Sequence, residues 1–343
     1  MNNTCAIILA AGTGTRMKSN MPKVLSKVLF KPILKWILDT LKQSKISPVC
    51  VVTGYKSEVL VEYLMKLSPA YQTVLQEEQK GTAHAVLTAK SFLLDNIDKD
   101  VLILNGDAPF IDAETIKNAY NLHKKQSNSS TVISAKISNP FGYGRIVREN
   151  HTGNLAAIVE QKDSDVQTQK INEVNSGAYW FNTDALLQIL SSIKNDNAQG
   201  EFYLTDAIRL LLEQGHNVNA YISDSEMTVL GANNPVQLSE LNNIARSQIL
   251  KRHMSNGVNI PCRDGIIIAD SVKIGQNTCI LPGSIITGNT VIGTNCTIGP
   301  NAQIEDCTIG NNLTINAIHC ANSRLLDDTN LRPFSVIKNN TFV

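Results

Sequence analysis

The sequence predicts an α/β domain with a mostly parallel sheet, followed by a three-sided parallel β-solenoid. Two observations carry that expectation. From about residue 4 to 228, apolar runs alternate with amphipathic stretches. Beyond a break near Gly257 and Pro261, isoleucine recurs at 268, 274, 280, 286, 292, 298 and 304, each six residues from the last.

In the first half, Cys5–Ala10, Pro48–Thr53, Val101–Leu104, Thr131–Lys136 and Ala178–Phe181 read as strands. Lys31–Gln43, Lys56–Lys66, Thr82–Leu94 and Ala113–Lys125 read as the helices between them. Strands that are apolar throughout, alternating with helices, belong to a sheet covered on both faces. Ligands in such sheets sit beyond the carboxyl ends of the strands, where Gly12–Arg16 and Asn105-Gly106-Asp107 fall. The stretch from Asn233 to Met254 reads as a connecting helix. The six-residue period that follows suits neither a helix nor an ordinary strand. A solenoid whose every hexapeptide makes one face, with the isoleucine pointing inward, produces it. The register slips after Ile304 and continues through Ile309 and Ile315, which predicts a bulge or insertion there. The expected domains are 1–232, a connector at 233–256, and the solenoid at 257–343.

Bulk properties exclude several classes of function. Formal net charge is +1 over 343 residues, so no global field draws in nucleic acid or an anionic membrane. No apolar run is long enough to span a bilayer, and the N-terminus lacks a secretory pattern. Seven cysteines, odd in number and without a Cys-x-x-Cys pair, point to reduced thiols in the cytoplasm. The six histidines show no paired spacing, so no zinc site is expected.

Residues 9–17, Leu-Ala-Ala-Gly-Thr-Gly-Thr-Arg-Met, form a glycine-rich turn after a buried strand. Glycine lets backbone N–H groups approach phosphate oxygens closely. It is not a dinucleotide fingerprint, because Met17 stands where the third glycine belongs, and no Gly-Lys-Ser/Thr of a Walker loop follows. On its own the turn reads equally as a plain connection. Arg16 and Lys23 follow closely; an arginine fork can bridge two phosphate oxygens and a lysine adds a mobile charge. Two solvated surface cations are the alternative. Asp107, at the end of the apolar run 101–104, is placed as a Mg²⁺ ligand facing a triphosphate, or as a turn aspartate.

Further motifs occur in order: Pro22-Lys-Val-Leu25, Gln76-x-x-Gln-x-Gly-Thr-Ala-His84, Asn105-Gly-Asp107 and Gly142-Tyr-Gly-Arg-Ile146. They continue with Ile158-Val-Glu160, Asn175-Ser-Gly177, Gly200-Glu-Phe-Tyr-Leu-Thr-Asp206 and Gly231-Ala-Asn-Asn234. Together they resemble the uridyltransferase half of the GlmU family, through about residue 235, and the hexapeptide repeats are similar to that family's second domain. The resemblance implies a Rossmann-like nucleotidyltransferase domain followed by a short left-handed parallel β-helix. It implies transfer of UMP from UTP to N-acetylglucosamine-1-phosphate, with Mg²⁺ as cofactor, in a cytoplasmic enzyme of cell-envelope precursor synthesis.

Roles carry over position by position. Leu9, Ala10, Ala11, Gly12, Gly14, Lys23, Gln76, Gly81 and Thr82 would hold the nucleotide, Gln76 reading the uracil edge. Arg16, Lys23 and Asp107 would be catalytic, with Asp107 and Asn233 as the metal ligands. Asn105, Gly106, Gly144, Glu160 and Asn175 would bind the sugar; at 105 relatives can carry an aromatic residue. No protein nucleophile is needed, because the sugar phosphate attacks the α-phosphorus directly.

The chain departs from the bifunctional relatives in its shorter solenoid. Arg332, in Leu331-Arg332-Pro333-Phe334, resembles the first basic residue of their acetyltransferase site, but the later residues have no counterpart, and His319 precedes the motif instead of following it. Acetyl transfer is therefore expected to be absent. A homotrimer through the solenoid is expected. Alternatives are a nucleotidyltransferase for another pair (dTTP with glucose-1-phosphate, or UTP with N-acetylgalactosamine-1-phosphate) and a non-catalytic sugar-nucleotide-binding scaffold.

Overall fold

The computed structural model of the chain describes Met1 and residues 3–342, the side chain of Phe342 excepted. It divides into two compact units: residues up to Ser26 with Pro32–Gln237, and Lys27–Lys31 with the chain from Leu238 onward.

The first unit is built on one sheet. Its strands are β1 (Thr4–Leu9), β2 (Val49–Thr53), β3 (Gln72–Leu75), β4 (Asp100–Asn105), β5 (Ser130–Lys136), β6 (Arg145–Arg148), β7 (Leu155–Val159), β8 (Glu173–Asn182) and β9 (Val218–Ser223). The order across the sheet is β9-β5-β8-β4-β1-β2-β3, with a β6–β7 hairpin joined to β8. Pairs β1–β2, β1–β4, β2–β3 and β5–β9 are parallel. Strand β8 runs antiparallel to both its neighbours, β4 and β5. Apolar side chains of β1 alternate between two cores: Cys5 and Ile7 face one, Ala6 and Ile8 the other. A strand buried on both faces needs apolar residues at every position, which is why β1, β2 and β4 read as continuous runs.

Helices α1 (Ile33–Gln43), α2 (Ser57–Leu67), α3 (Thr82–Thr88), α4 (Lys90–Leu94), α5 (Ala113–Lys125), α6 (Thr183–Leu190) and α7 (Thr205–Glu213) belong to this unit. The single helix expected over 82–94 is in fact two, α3 and α4, divided at Ala89, whose ψ of 19° leaves the helical region. Both halves remain amphipathic: Val86 of α3 and Phe92 and Leu93 of α4 enter the same core. Helix α5 is capped by the Asp112 carboxylate, which accepts from Thr115 N at 2.7 Å, a contact that satisfies one of the free amides of the first turn. Burial pushes the thiols of Cys5 and Cys50 up to about 12, and all seven cysteines are free thiols.

The second unit begins within α8 (Pro235–Ser255). It is a left-handed parallel β-helix of three faces. The isoleucines stack in columns: Ile268, Ile286 and Ile304 on one face, Ile274, Ile292 and Ile309 on the second, Ile280, Ile298 and Ile315 on the third. The expected bulge or insertion after Ile304 is not there. Ile309 follows Ile304 by five residues yet still stacks on Ile292, so the corner has lost a residue and the inward column is kept. Corners need left-handed backbone, and Asn277, Asn295 and Asn312 supply it with φ of 61°, 56° and 61°; asparagine tolerates that region better than other residues with a Cβ.

Candidate active site

The carboxyl ends of β1, β2 and β4 meet at one edge. Gly106 N donates to Leu9 O at 2.8 Å, and Ala10 N to Val52 O at 2.9 Å. A cleft of two lobes opens there. One, of about 390 Å³, is lined by Leu9 to Thr13, Lys23, Gln76, Gln79, Gly81 and Thr82. The other, of about 280 Å³, is lined by Gly144, Glu160, Asn175, Tyr179, Tyr203 and Asn233 among others. Leu9, Thr82, Asn105, Asp107 and Glu201 line both lobes.

The glycine loop shapes the first lobe. Gly14 has φ +60°, and a Cβ there would lie 2.8 Å from Lys23 Cβ, so glycine lets the loop close over the lysine backbone. Gly81 has φ +114°, and its Cβ would meet Phe202 O at 2.5 Å. Segment 80–83 pairs with 202–204: Phe202 N donates to Lys80 O, Ala83 N to Phe202 O, and Leu204 N to Thr82 Oγ1 at 2.9 Å. The side chain of Gln76 is buried beneath them, its Nε2 3.2 Å from Gly81 O and 2.9 Å from His84 Nδ1.

At the junction of the lobes, Lys23 Nζ donates to Asp107 Oδ2 at 2.5 Å and to Asn233 Oδ1 at 2.7 Å. Arg16 Nη2 donates to the same Asn233 oxygen at 3.0 Å. The segment carrying Asn233 is docked by Ala232 N on Asp107 O at 3.3 Å, and Gln237 Oε1 accepts from Asn233 N at 2.7 Å. Residues 16, 23, 107 and 233, far apart in sequence, thus converge within one hydrogen-bonded group. Two hard oxygens already converge on a cation here. A carboxylate and an amide oxygen suit a small divalent metal that completes its shell with phosphate and water. Among the described residues no three His, Cys, Asp or Glu side chains gather to hold a metal by themselves.

In the second lobe, burial holds the Glu160 carboxyl above the usual carboxylate range, and Asp163 and Asp206 push the same way. The Thr205 hydroxyl, 3.4 Å from Oε1, and the Arg145 guanidinium oppose that shift. Gly144 lies against this carboxylate. Asn175 is fixed at both ends, its Nδ2 donating to Tyr179 Oη at 2.6 Å and its Oδ1 accepting from Gly177 N at 3.0 Å. Asn105 lies against Gly177, where no Cβ would fit beside its amide. Ala10, Ala11, Gly12, Gln76 and Gly81 therefore line the first lobe, Gly144, Glu160 and Asn175 the second, and Leu9 and Thr82 both; Gly14 and Arg16 are not among the lining residues, Gly14 backing Lys23 instead. Gly106 packs against Leu9 O, where its missing Cβ is needed, and serves as a spacer under the cleft floor. Sequence reasoning missed Tyr179, Tyr203 and Glu201 as lining residues, although Glu201 and Tyr203 lie inside the Gly200–Asp206 motif.

A Rossmann-like sheet with a phosphate-type glycine loop, and a cation cluster between two lobes, defines a nucleotidyltransferase. The chain matches the nucleotidyl transferase family over residues 5–231 and the bacterial transferase hexapeptide family over 271–306. It is 41% identical over 339 residues to the "Bifunctional protein GlmU" of Clostridium beijerinckii, an alignment covering 99% of this chain and 73% of that one. It is also 41% identical over 333 residues to the protein of the same name from Geobacillus sp. (strain WCH70), covering 97% and 72%. A crystal structure from Bacillus anthracis, described as a glucose-1-phosphate thymidylyltransferase, shares the fold with a TM-score of 0.58 at 22% identity, covering 71% of this chain and 95% of that one. The chain belongs to the GlmU family of nucleotidyltransferases, enzymes of the UDP-N-acetylglucosamine pyrophosphorylase type. No helix among the described residues is long and apolar enough to cross a membrane.

Proposed function

We propose that this protein transfers UMP from UTP to N-acetylglucosamine-1-phosphate, releasing UDP-N-acetylglucosamine and pyrophosphate, with Mg²⁺ as its metal. The observation that carries the reading is the Lys23–Asp107–Asn233 cluster at the junction of the two lobes. A nucleotide in the glycine-loop lobe and a sugar phosphate in the Glu160 lobe would meet there. Both reactants are anions, so catalysis rests on positioning them and neutralising charge.

Arg16 and Lys23 would grip the triphosphate, and Lys23 would move from Asp107 to phosphate as the nucleotide enters. Asp107 and Asn233 would hold the Mg²⁺, which when bound neutralises phosphate charge and orients it. Leu9 to Gly12, Gly14, Gly81 and Thr82 would shape the nucleoside site, and Gln76 would face the base. Glu160 would accept from sugar hydroxyls, with Gly144, Asn175 and Asn105 framing the ring and its acetamide. A phosphate oxygen of the sugar phosphate then attacks the α-phosphorus and pyrophosphate leaves on the opposite side.

Residues 1–232 would perform this step, 233–256 connect, and 257–343 assemble the protein as a homotrimer in the cytoplasm. No acetyl transfer is assigned to residues 257–343, where His319 is exposed on the outer face of its strand. The test uses the full chain with [α-³²P]UTP, N-acetylglucosamine-1-phosphate and Mg²⁺. Label should pass into a UDP-sugar, and a chelator should stop it. Failure to release pyrophosphate above the buffer rate would reject the proposal.

A further inference from the structure

We infer that His84 is a positioning residue for base selection, holding the Gln76 amide so that an acceptor faces the nucleotide lobe. The inference rests on the reading that the base lies against Gln76. Gln76 is 3% exposed, directly after β3, and lines the nucleotide lobe. Its Nε2 is 3.2 Å from Gly81 O and 2.9 Å from His84 Nδ1.

A carbonyl oxygen only accepts, so the NH₂ side of the amide has to face Gly81. The second hydrogen of that same NH₂ points at His84 Nδ1. That nitrogen accepts only if it carries no proton, which selects the neutral Nε2–H tautomer. Both donors of Gln76 are then engaged. Its Oε1 accepts from nothing among the described residues, and this oxygen is not one of the buried unpartnered atoms, so it stays accessible where Gln76 lines the lobe. A fixed, accessible carbonyl without a protein partner is open to a ligand that brings a donor.

The pyrimidines differ at that point. Uracil and thymine present N3–H, a donor; cytosine presents a bare N3, an acceptor. A fixed Oε1 pairs with the first two and opposes the third. Without His84 the amide is held only by its bond to Gly81 O, and breaking that one bond frees it to turn its NH₂ into the lobe, where it would serve cytosine. His84 is well placed for a fixed role: it lies in the first turn of α3, three residues after Gly81, and its ring lies 6.5 Å from that of Phe202.

The test compares the full-length wild type with His84→Phe, His84→Asn and Gln76→Ala, reading kcat/KM for UTP against CTP at saturating sugar phosphate. Phenylalanine keeps the ring and removes the acceptor; asparagine can offer Oδ1 where Nδ1 was. Loss of one such bond should lower the UTP-to-CTP ratio about tenfold in His84→Phe, with the sugar phosphate KM unchanged and the ratio restored in His84→Asn. An unchanged ratio in His84→Phe alongside a collapsed one in Gln76→Ala overturns the inference alone. An unchanged ratio in Gln76→Ala overturns the placement of the base as well. Should His84→Phe not fold, ¹⁵N chemical shifts of His84 in the wild type decide: the Nε2–H tautomer is expected, and the Nδ1–H tautomer contradicts the inference.

Discussion

Replacing Lys23 with methionine keeps most of the side chain's length and removes the ammonium. That ammonium sits 2.5 Å from Asp107 Oδ2 and 2.7 Å from Asn233 Oδ1, the oxygens assigned to the metal. Lysine and ion therefore compete for the same two atoms. A hydrogen bond to a charged group is worth about 1.5–3 kcal/mol when well shielded. Here the two charged side chains are 13% and 28% exposed, and water replaces part of the lost contact, so we take about 1–2 kcal/mol as the net competition. That corresponds to roughly 5–30-fold in a binding constant. The assay is titration of Mn²⁺ into the nucleotide-free protein, with free ion followed by paramagnetic resonance. Lys23→Met should bind Mn²⁺ roughly 5–30-fold more tightly while its turnover falls by about two to three orders of magnitude, the usual cost of losing one charge-stabilising donor. Equal or weaker Mn²⁺ binding in Lys23→Met would refute the shared-oxygen reasoning.

Other residues give predictions with their own signs. Glu160 has a folded-state pKa raised by burial, so its contribution to stability is present below its unfolded pKa and lost as pH rises through the folded value. Glu160→Gln should then melt higher than wild type at neutral and alkaline pH, with the gain shrinking in acid, while its KM for the sugar phosphate rises. In the wild type that KM should rise as pH falls through the raised pKa; a flat profile would separate Glu160 from sugar binding. Gly81→Ala forces a Cβ within 2.5 Å of Phe202 O at φ +114°. Its KM for UTP should increase about tenfold, ~1.4 kcal/mol, with little change for the sugar phosphate, as steady-state kinetics would show. Ile298, fully buried between Ile280 and Ile315, leaves a cavity when cut to alanine. Urea unfolding of the β-helix should lose about 2–5 kcal/mol.

What was legible in the sequence follows from burial. Strands β1, β2 and β4 are enclosed on both faces and carry apolar residues without interruption. Strand β3 lies at the sheet edge with Gln72 and Leu75 exposed, and the β6–β7 hairpin is short, so neither leaves such a run. The break at Ala89 carries no glycine or proline, so no residue type marks it. The isoleucine columns survive the shortened corner after Ile304 because stacking constrains inward residues and not corner length. A second ladder was readable and passed over: Asn277, Asn295 and Asn312 repeat once per coil where left-handed backbone is required.

The cleft divides along similar lines. The glycine loop, Lys23 and Asp107 were visible because a turn at a strand's end has a local signature. Asn233 was visible only through resemblance, since its approach to Asp107 depends on the chain returning after β9. The Gln76–His84 contact needed coordinates: eight residues separate the pair, and nothing in their identities says which amide atom faces which nitrogen.

The most direct test of the central claim is pyrophosphate release by the full chain, with Mg²⁺, across pairs of nucleotide and sugar phosphate. The pairs are UTP with N-acetylglucosamine-1-phosphate, UTP with N-acetylgalactosamine-1-phosphate, and dTTP with glucose-1-phosphate. The account predicts the highest kcat/KM for the first pair. Faster turnover of either other pair, or no release with any, would contradict it.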